Sequence, residues 1–189
     1  MILEKEINLI HSTKIRTAVK YCIAEREEAL KDLPASISGR YHPPEERGPG
    51  GMVIHLARLC RIIEDLWVHL DLVSEEHDLL IATALLHDIS NVDISKRTEY
   101  GTVVRDHELY SQFHAELGFA TAAKYFVAQG YQLEDPFMLQ LQGIIGSHMG
   151  VWMKDAKKPT RKLEIIFSLL DFIDTRPYVH VELEGVKYV

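Results

Sequence analysis

Ten histidines stand out in a chain of 189 residues, and their neighbours decide which of them can do chemistry. His87 and Asp88 sit together in Ala82-Thr83-Ala84-Leu85-Leu86-His87-Asp88, an imidazole beside a carboxylate at the end of an apolar run. Burying such a pair without partners is costly, so two readings stand: it meets water at a helix end, or it binds a metal ion. His55, in Met52-Val53-Ile54-His55-Leu56-Ala57-Arg58-Leu59, fits a hydrogen-bonded core histidine or a ligand. Asp171, in Ser168-Leu169-Leu170-Asp171-Phe172-Ile173-Asp174, is a carboxylate inside an apolar run, and a cation is a natural partner. Asp174, one turn on, reads as a solvated helix-end residue.

Taken together, His55, the His87-Asp88 pair and Asp171 fall on three separate predicted helices. A helical bundle can bring such residues to one point. Two nitrogens and two carboxylates favour Mn, Fe, Co, Ni or Zn over Ca or Mg. His114, in Phe113-His114-Ala115-Glu116-Leu117-Gly118, and His148, in Ile144-Ile145-Gly146-Ser147-His148-Met149-Gly150, extend the set.

The elements that must position these residues are mostly helical. Glu4 to about Leu33 reads as one helix with Ile7, Ile10, Ile15, Val19, Ile23 and Leu30 on its apolar face, closed by Pro34. Residues 34–51, rich in Pro and Gly, read as a long loop, and such loops are often functional. A helix runs from near Met52 to about Leu70, and Ser74 is the expected N-cap of the next, ending around His87. Residues 89–106 read as a polar loop. His107 to Gln129 is helical, with Gly130 as its stop. Asp135-Pro136 opens a helix to about His148, and Thr160 is expected to cap a last one through Thr175. The tail from Tyr178 alternates Val179, Val181 and Leu183, as a short strand or an ordered arm would. The expectation is a single all-α domain, a bundle of about six main helices. It divides into an N-terminal helix (1–34), a metal-binding core (35–176) and a tail (177–189).

Composition narrows the function classes. Apolar residues make up 47% and the formal net charge is -7, which argues against a broad basic face for duplex nucleic acid. Cys22 and Cys60 lie in apolar runs, read as free buried thiols, and fit a reduced, cytoplasmic setting. The N-terminus lacks the unbroken apolar core of a signal peptide, and no stretch of about 18 apolar residues suggests a membrane span.

The order His, His-Asp, His, His, Asp resembles the signature of the HD superfamily of metal-dependent phosphohydrolases. The likeness covers about residues 41–176 and rests on five segments: Gly50 to His55, Ala84 to Ile89, His114 to Gly118, Ile145 to Gly150, and Leu169 to Asp174. Within the superfamily the chain is most similar to the HD domain of bacterial 3′-to-5′ exoribonucleases. Those also carry a His-Pro-type loop and a Gly-Gly pair before the first histidine, as Tyr41-His42-Pro43-Pro44 and Gly50-Gly51 do here. The chain differs from them in having Ser147-His148-Met149-Gly150 where they have Ser-His-His-Gly, and Ser90-Asn91 where they have Gly-Lys. No nucleic-acid-binding OB domain is read beside it.

The resemblance implies a first metal held by His55, His87, Asp88 and Asp171. Asp88 would bridge to a second ion held also by His114 and His148, so one or two divalent transition metals are expected. A metal-activated water would attack phosphorus in a phosphate ester of a nucleotide or short oligonucleotide. Arg58, Lys96, Arg97 and Arg105 are candidates to bind the phosphate, each with the alternative of a solvated surface charge. His42 and His107 are either proton donors or surface histidines. The competing function is a non-catalytic HD module that binds a nucleotide or a partner protein. Short single-stranded nucleic acid and self-association are open as partners.

Overall fold

The computed structural model describes residues 1–38, 41–151, 153–154 and 156–183. Chain order is α1 (Glu4–Ile7), α2 (Thr13–Asp32), α3 (Gly51–Leu66), α4 (Ser74–Leu86), α5 (Asn91–Ile94), the antiparallel strands β1 (Ser95–Arg97) and β2 (Val103–Arg105), then α6 (His107–Ala128), α7 (Pro136–Ser147) and α8 (Lys162–Asp174). Short 3-10 turns cover Pro44–Glu46, Trp67–Leu70 and His148–Val151. The expected all-α bundle is present, and six of its helices have twelve or more residues. No helix among the described residues is long and apolar enough to cross a membrane.

Helix α4 is the axis of the bundle. Every residue from His77 to Leu86 is buried, and α1, α2, α3, α6, α7 and α8 all pack against it. A helix apolar on all sides belongs at the centre of a core. Leu80, Ile81, Leu85 and Leu86 are fully buried, and each such side chain contributes roughly 1.5–3 kcal/mol. The ends of α4 are where polar residues enter the core.

Four segments depart from the sequence reading. The N-terminal helix is broken between α1 and α2, because Asp78 on α4 accepts the backbone amides of His11 (2.8 Å) and Ser12 (2.7 Å). Those amides are therefore held outside the helical ladder. Residues 89–106 carry a short helix and a hairpin in place of an open loop. The start of α8 is capped from inside by Glu164, whose Oε2 accepts the amides of Thr160 (2.9 Å) and Arg161 (3.2 Å). Helix α4 begins at Ser74 itself, with Val73 in the cap position. In the tail, residues 178–183 form no strand, although Val181 is buried against the core; residues 184–189 lie outside the described residues.

The Pro/Gly segment folds back over the first turn of α3. Gly50 sits at φ 80°, and a Cβ on Gly51 would overlap the Glu46 carbonyl. The backbone bonds Ala35 N to Glu46 O (3.0 Å) and Met52 N to Leu33 O (2.9 Å) tie the segment down. The result places Glu46, fully buried, and His42 beside His55.

Candidate metal centre

Three helices and two helix ends supply the polar cluster. His87 follows the last residue of α4, and its Nδ1–H donates to Ala84 O at 3.0 Å. His148 stands in the same relation to α7, donating from Nδ1 to Ile145 O at 2.6 Å. The last carbonyls of a helix have no intrahelical partner, so a histidine at that point caps its own helix and turns Nε2 outward. On α6, His114 Nδ1 donates to Tyr110 O (2.9 Å), and on α3, His55 Nδ1 donates to Asp174 Oδ2 (2.7 Å). All four rings thus hold a hydrogen on Nδ1 and turn Nε2 inward, where each ring, when neutral, presents a lone pair.

These lone pairs converge. His55 and His87 meet Nε2 to Nε2 at 3.3 Å, and His114 and His148 at 3.1 Å. Asp171 Oδ1 lies 3.6 Å from His55 Nε2 and 3.9 Å from His87 Nε2. Asp88 stands between the two groups. Its Oδ2 is 3.7 Å from His87, and its Oδ1 is 3.8 Å from both His114 and His148. Ligand atoms about 2.0–2.2 Å from one ion lie roughly 3–4 Å apart, so the spacing fits a cation in each group. The structure therefore brings together all six residues expected as ligands: His55, His87, Asp88, His114, His148 and Asp171.

Without an ion, facing lone pairs and buried carboxylates are held together only by protons. Burial opposes charge on every group, and neighbours decide the outcome. His87 is pushed down to about 3 by burial, against the pull of Asp88, and His114 to about 4 by burial and by His148. For His55, burial is outweighed by the Asp174 hydrogen bond and the nearby carboxylates, which lift it to about 10. Burial lifts Asp171 to about 6. Burial also works to raise Asp88, but the His87, His148 and His114 rings hold it well below the usual range. A divalent cation in each group would satisfy these donors.

The cluster forms the floor of a cavity of about 490 Å³. His55, His87, Asp88, His148 and Asp171 line it from below; Tyr41, His42, Arg105, His107, Tyr110 and Met149 form walls. Comparison with known families supplies the rest: the model of the HD domain matches residues 52–176. The chain belongs to the HD-domain family. HD domains bind divalent metals and are generally metal-dependent hydrolases, in keeping with the donor set described above. No curated protein and no solved structure matches the chain.

Other candidates fall in different places. Arg58 is fully buried behind His55, paired with Asp174 Oδ1 (2.9 Å) and Glu46 Oε1 (2.8 Å), and donates to the Asp174 and Val179 carbonyls. It braces the HD centre and does not reach the cavity. Lys96 is exposed on β1 and does not line it either. Of the basic residues in the segment after the His-Asp pair, Arg105 is the one on the cavity wall, stacked over Tyr110 at 5.0 Å. Asp174 is fully buried, a correction to its reading as a solvated end. His42 is a wall residue with Nδ1 2.6 Å from Glu46 Oε2, and His107 is exposed at the rim. Burial pushes Glu46 up to about 8, against the pull of His55 and Arg58. Glu46 and Tyr110 carried no sequence signal, since each sits in an ordinary polar stretch. Cys22 and Cys60 are free, buried and remote from the cavity, and burial pushes Cys22 up to about 12.

Proposed function

We propose that this HD protein hydrolyses a phosphate ester of a nucleotide or short oligonucleotide. The observation that carries the reading is the convergence of four Nε2 lone pairs and two carboxylates on the floor of an open cavity with an arginine on its wall. His55, His87, Asp88 and Asp171 would hold one divalent transition metal, and Asp88, His114 and His148 a second. Bound there, such ions acidify water and stabilise charge developing on phosphoryl oxygens.

The chain's own residues do the rest. Asp174 keeps the His55 proton on Nδ1, and Arg58 keeps Asp174 in place, so Nε2 stays available. Arg105 binds the phosphate. Among the described residues its guanidinium makes long hydrogen bonds to Ser95 Oγ at 3.4 Å and Pro34 O at 3.5 Å beside its contact with Tyr110, which leaves donors for a ligand. Tyr41 gives the cavity wall an aromatic ring for a base, Tyr110 being already stacked on His114 and under Arg105, and the volume lies within the range of small-molecule sites. Burial pushes His42 down to about 3, so with Nδ1–H on Glu46 it presents a bare Nε2 on the cavity wall, placed to accept a hydrogen bond from the substrate or a water. The likeness of the His42-Pro43 loop and Gly50-Gly51 to exoribonuclease HD domains supports an oligonucleotide as one substrate class. A complete ligand set favours catalysis over a module that only binds.

The test is metal analysis of the purified chain with assays on mononucleotides, short oligonucleotides and a generic phosphodiester. Hydrolysis stimulated by Mn, Co or Ni is expected. A chain that takes up no transition metal and cleaves none of these substrates would sink the proposal.

A further inference from the structure

A second His-Asp pair, His77-Asp78, opens α4, and His77 is one of the most buried polar residues in the molecule at 1% exposure. Trp67 packs on its ring at 4.8 Å. Its Nε2 lies 2.8 Å from Glu64 Oε2. A carboxylate only accepts, so Nε2 carries the hydrogen and Nδ1 the lone pair. That Nδ1 is buried and has no hydrogen-bond partner. The nearest acid oxygen, Asp78 Oδ1, is 3.6 Å away, too far for a hydrogen bond. Asp78 Oδ1 is also 3.0 Å from His11 Nδ1, and His11, His77 and Asp78 each offer a ligand atom within 4.8 Å of the others.

We propose that His11, His77 and Asp78 form a binding site for a divalent transition metal of the zinc type, separate from the HD centre. Two imidazole nitrogens and one carboxylate oxygen are a donor set that zinc takes, and they select it over calcium or magnesium. Tetrahedral ligands about 2.05 Å from zinc lie about 3.4 Å apart, a value between the two separations to Asp78. Glu64 holds the His77 ring with Nδ1 inward, as outer carboxylates do for ligating histidines. The His11 side chain is 60% exposed, so it can turn to complete the set and the fourth position faces water. An ion there clamps the start of α2 onto α4. The two His-Asp pairs are ten residues apart, about 15 Å along the helix, so the sites fill independently.

The test strips the tag-free full chain with chelator, titrates it with Zn²⁺ or Co²⁺, and counts bound ions by calorimetry and elemental analysis. Wild type is expected to hold one ion per chain more than His11→Ala, whose exposed ring can be removed without disturbing the core. Zinc should also raise the unfolding temperature of wild type more than that of His11→Ala. His77→Gln should lose the same ion. If it does not fold, the His11→Ala count decides alone. Equal stoichiometry in wild type and His11→Ala overturns the site and leaves His77 as a core residue held by Glu64 and Trp67.

Discussion

A His-Asp dipeptide stands near the start of helix α4 and another just past its last residue, and the two ends behave differently. At His77-Asp78, both carboxylate oxygens accept backbone amides from the start of α2, and neither residue lines the cavity of the HD centre. At His87-Asp88, three further helices and a helix end deliver His55, His114, His148 and Asp171, and the Asp88 side chain is still 14% exposed on a cavity floor. The dipeptide alone therefore specifies nothing. What distinguishes a reactive centre is acceptor capacity left unused by the protein and turned toward open space.

The sharpest break of that comparison exchanges the two aspartates. Asp88→Ala removes the group between both ion positions. Losing about 4 kcal/mol of transition-state stabilisation lowers hydrolysis on the order of 10³-fold. Asp78→Ala instead frees two amides from a buried carboxylate at a cost of about 2–3 kcal/mol, seen as a fall of roughly 5–10 °C in Tm. Its hydrolysis stays close to wild type at a temperature where it is folded. A folded Asp78→Ala that loses hydrolysis, beside an active Asp88→Ala, would reverse the assignment of the two ends.

The residues behind each pair give the next largest contrast. Asp174→Asn weakens the hold on His55 and should raise the metal concentration for half-maximal hydrolysis by about 10–100-fold. Glu64 stands in the same relation to His77, yet Glu64→Gln should leave that concentration unchanged. A shift with Glu64→Gln of the size seen with Asp174→Asn would mean the two ends communicate through α4.

The sequence carried the helices and the ligands unevenly. Six helices were legible because apolar spacing and Gly or Pro stops mark them directly. The ligand set was legible because His55, His87, Asp88 and Asp171 interrupt apolar runs, where a polar residue needs a reason. The break before α2 was not, because it comes from Asp78, more than sixty residues away in sequence. Asp174 looked like a solvated end, since nothing local reveals that Arg58 and His55 cover it. Arg58 was misplaced for the converse reason: one turn after a ligand, it faces the back of the ligand's ring and not the cavity. Lys96 and Arg105 are indistinguishable by composition. Only the hairpin register, which pairs Ser95 with Arg105, decides which of them meets the cavity.

That last distinction supplies a smaller effect. Arg105→Ala removes the phosphate donor, and about 1.4 kcal/mol of lost binding lowers kcat/KM about tenfold, mostly through KM. Bound metal stays unchanged, which separates this residue from the centre below it. Lys96→Ala should match wild type in both. An Arg105→Ala chain with reduced metal content would move Arg105 from the wall into the support of the centre.

The smallest effect tests whether the role of Asp78 is simply that of an acid holding amides at a helix start. Glu164 does the same work for α8, the helix that carries Asp171 and Asp174. Glu164→Gln keeps the shape and removes the charge, which costs about 0.5–1 kcal/mol, or about 1–4 °C in Tm. Burial works to raise the Glu164 carboxyl, but the Thr160 and Arg161 amides and Lys157 outweigh it and hold it below its ordinary value. A folded value below the unfolded one means the stabilisation is complete at neutral pH and is lost as pH falls through the folded value. The gap between wild type and Glu164→Gln should therefore close below about pH 4, the ordinary glutamate range. A gap that persists at lower pH would show that shape, not charge, caps α8, and would weaken the same account of Asp78 at α2.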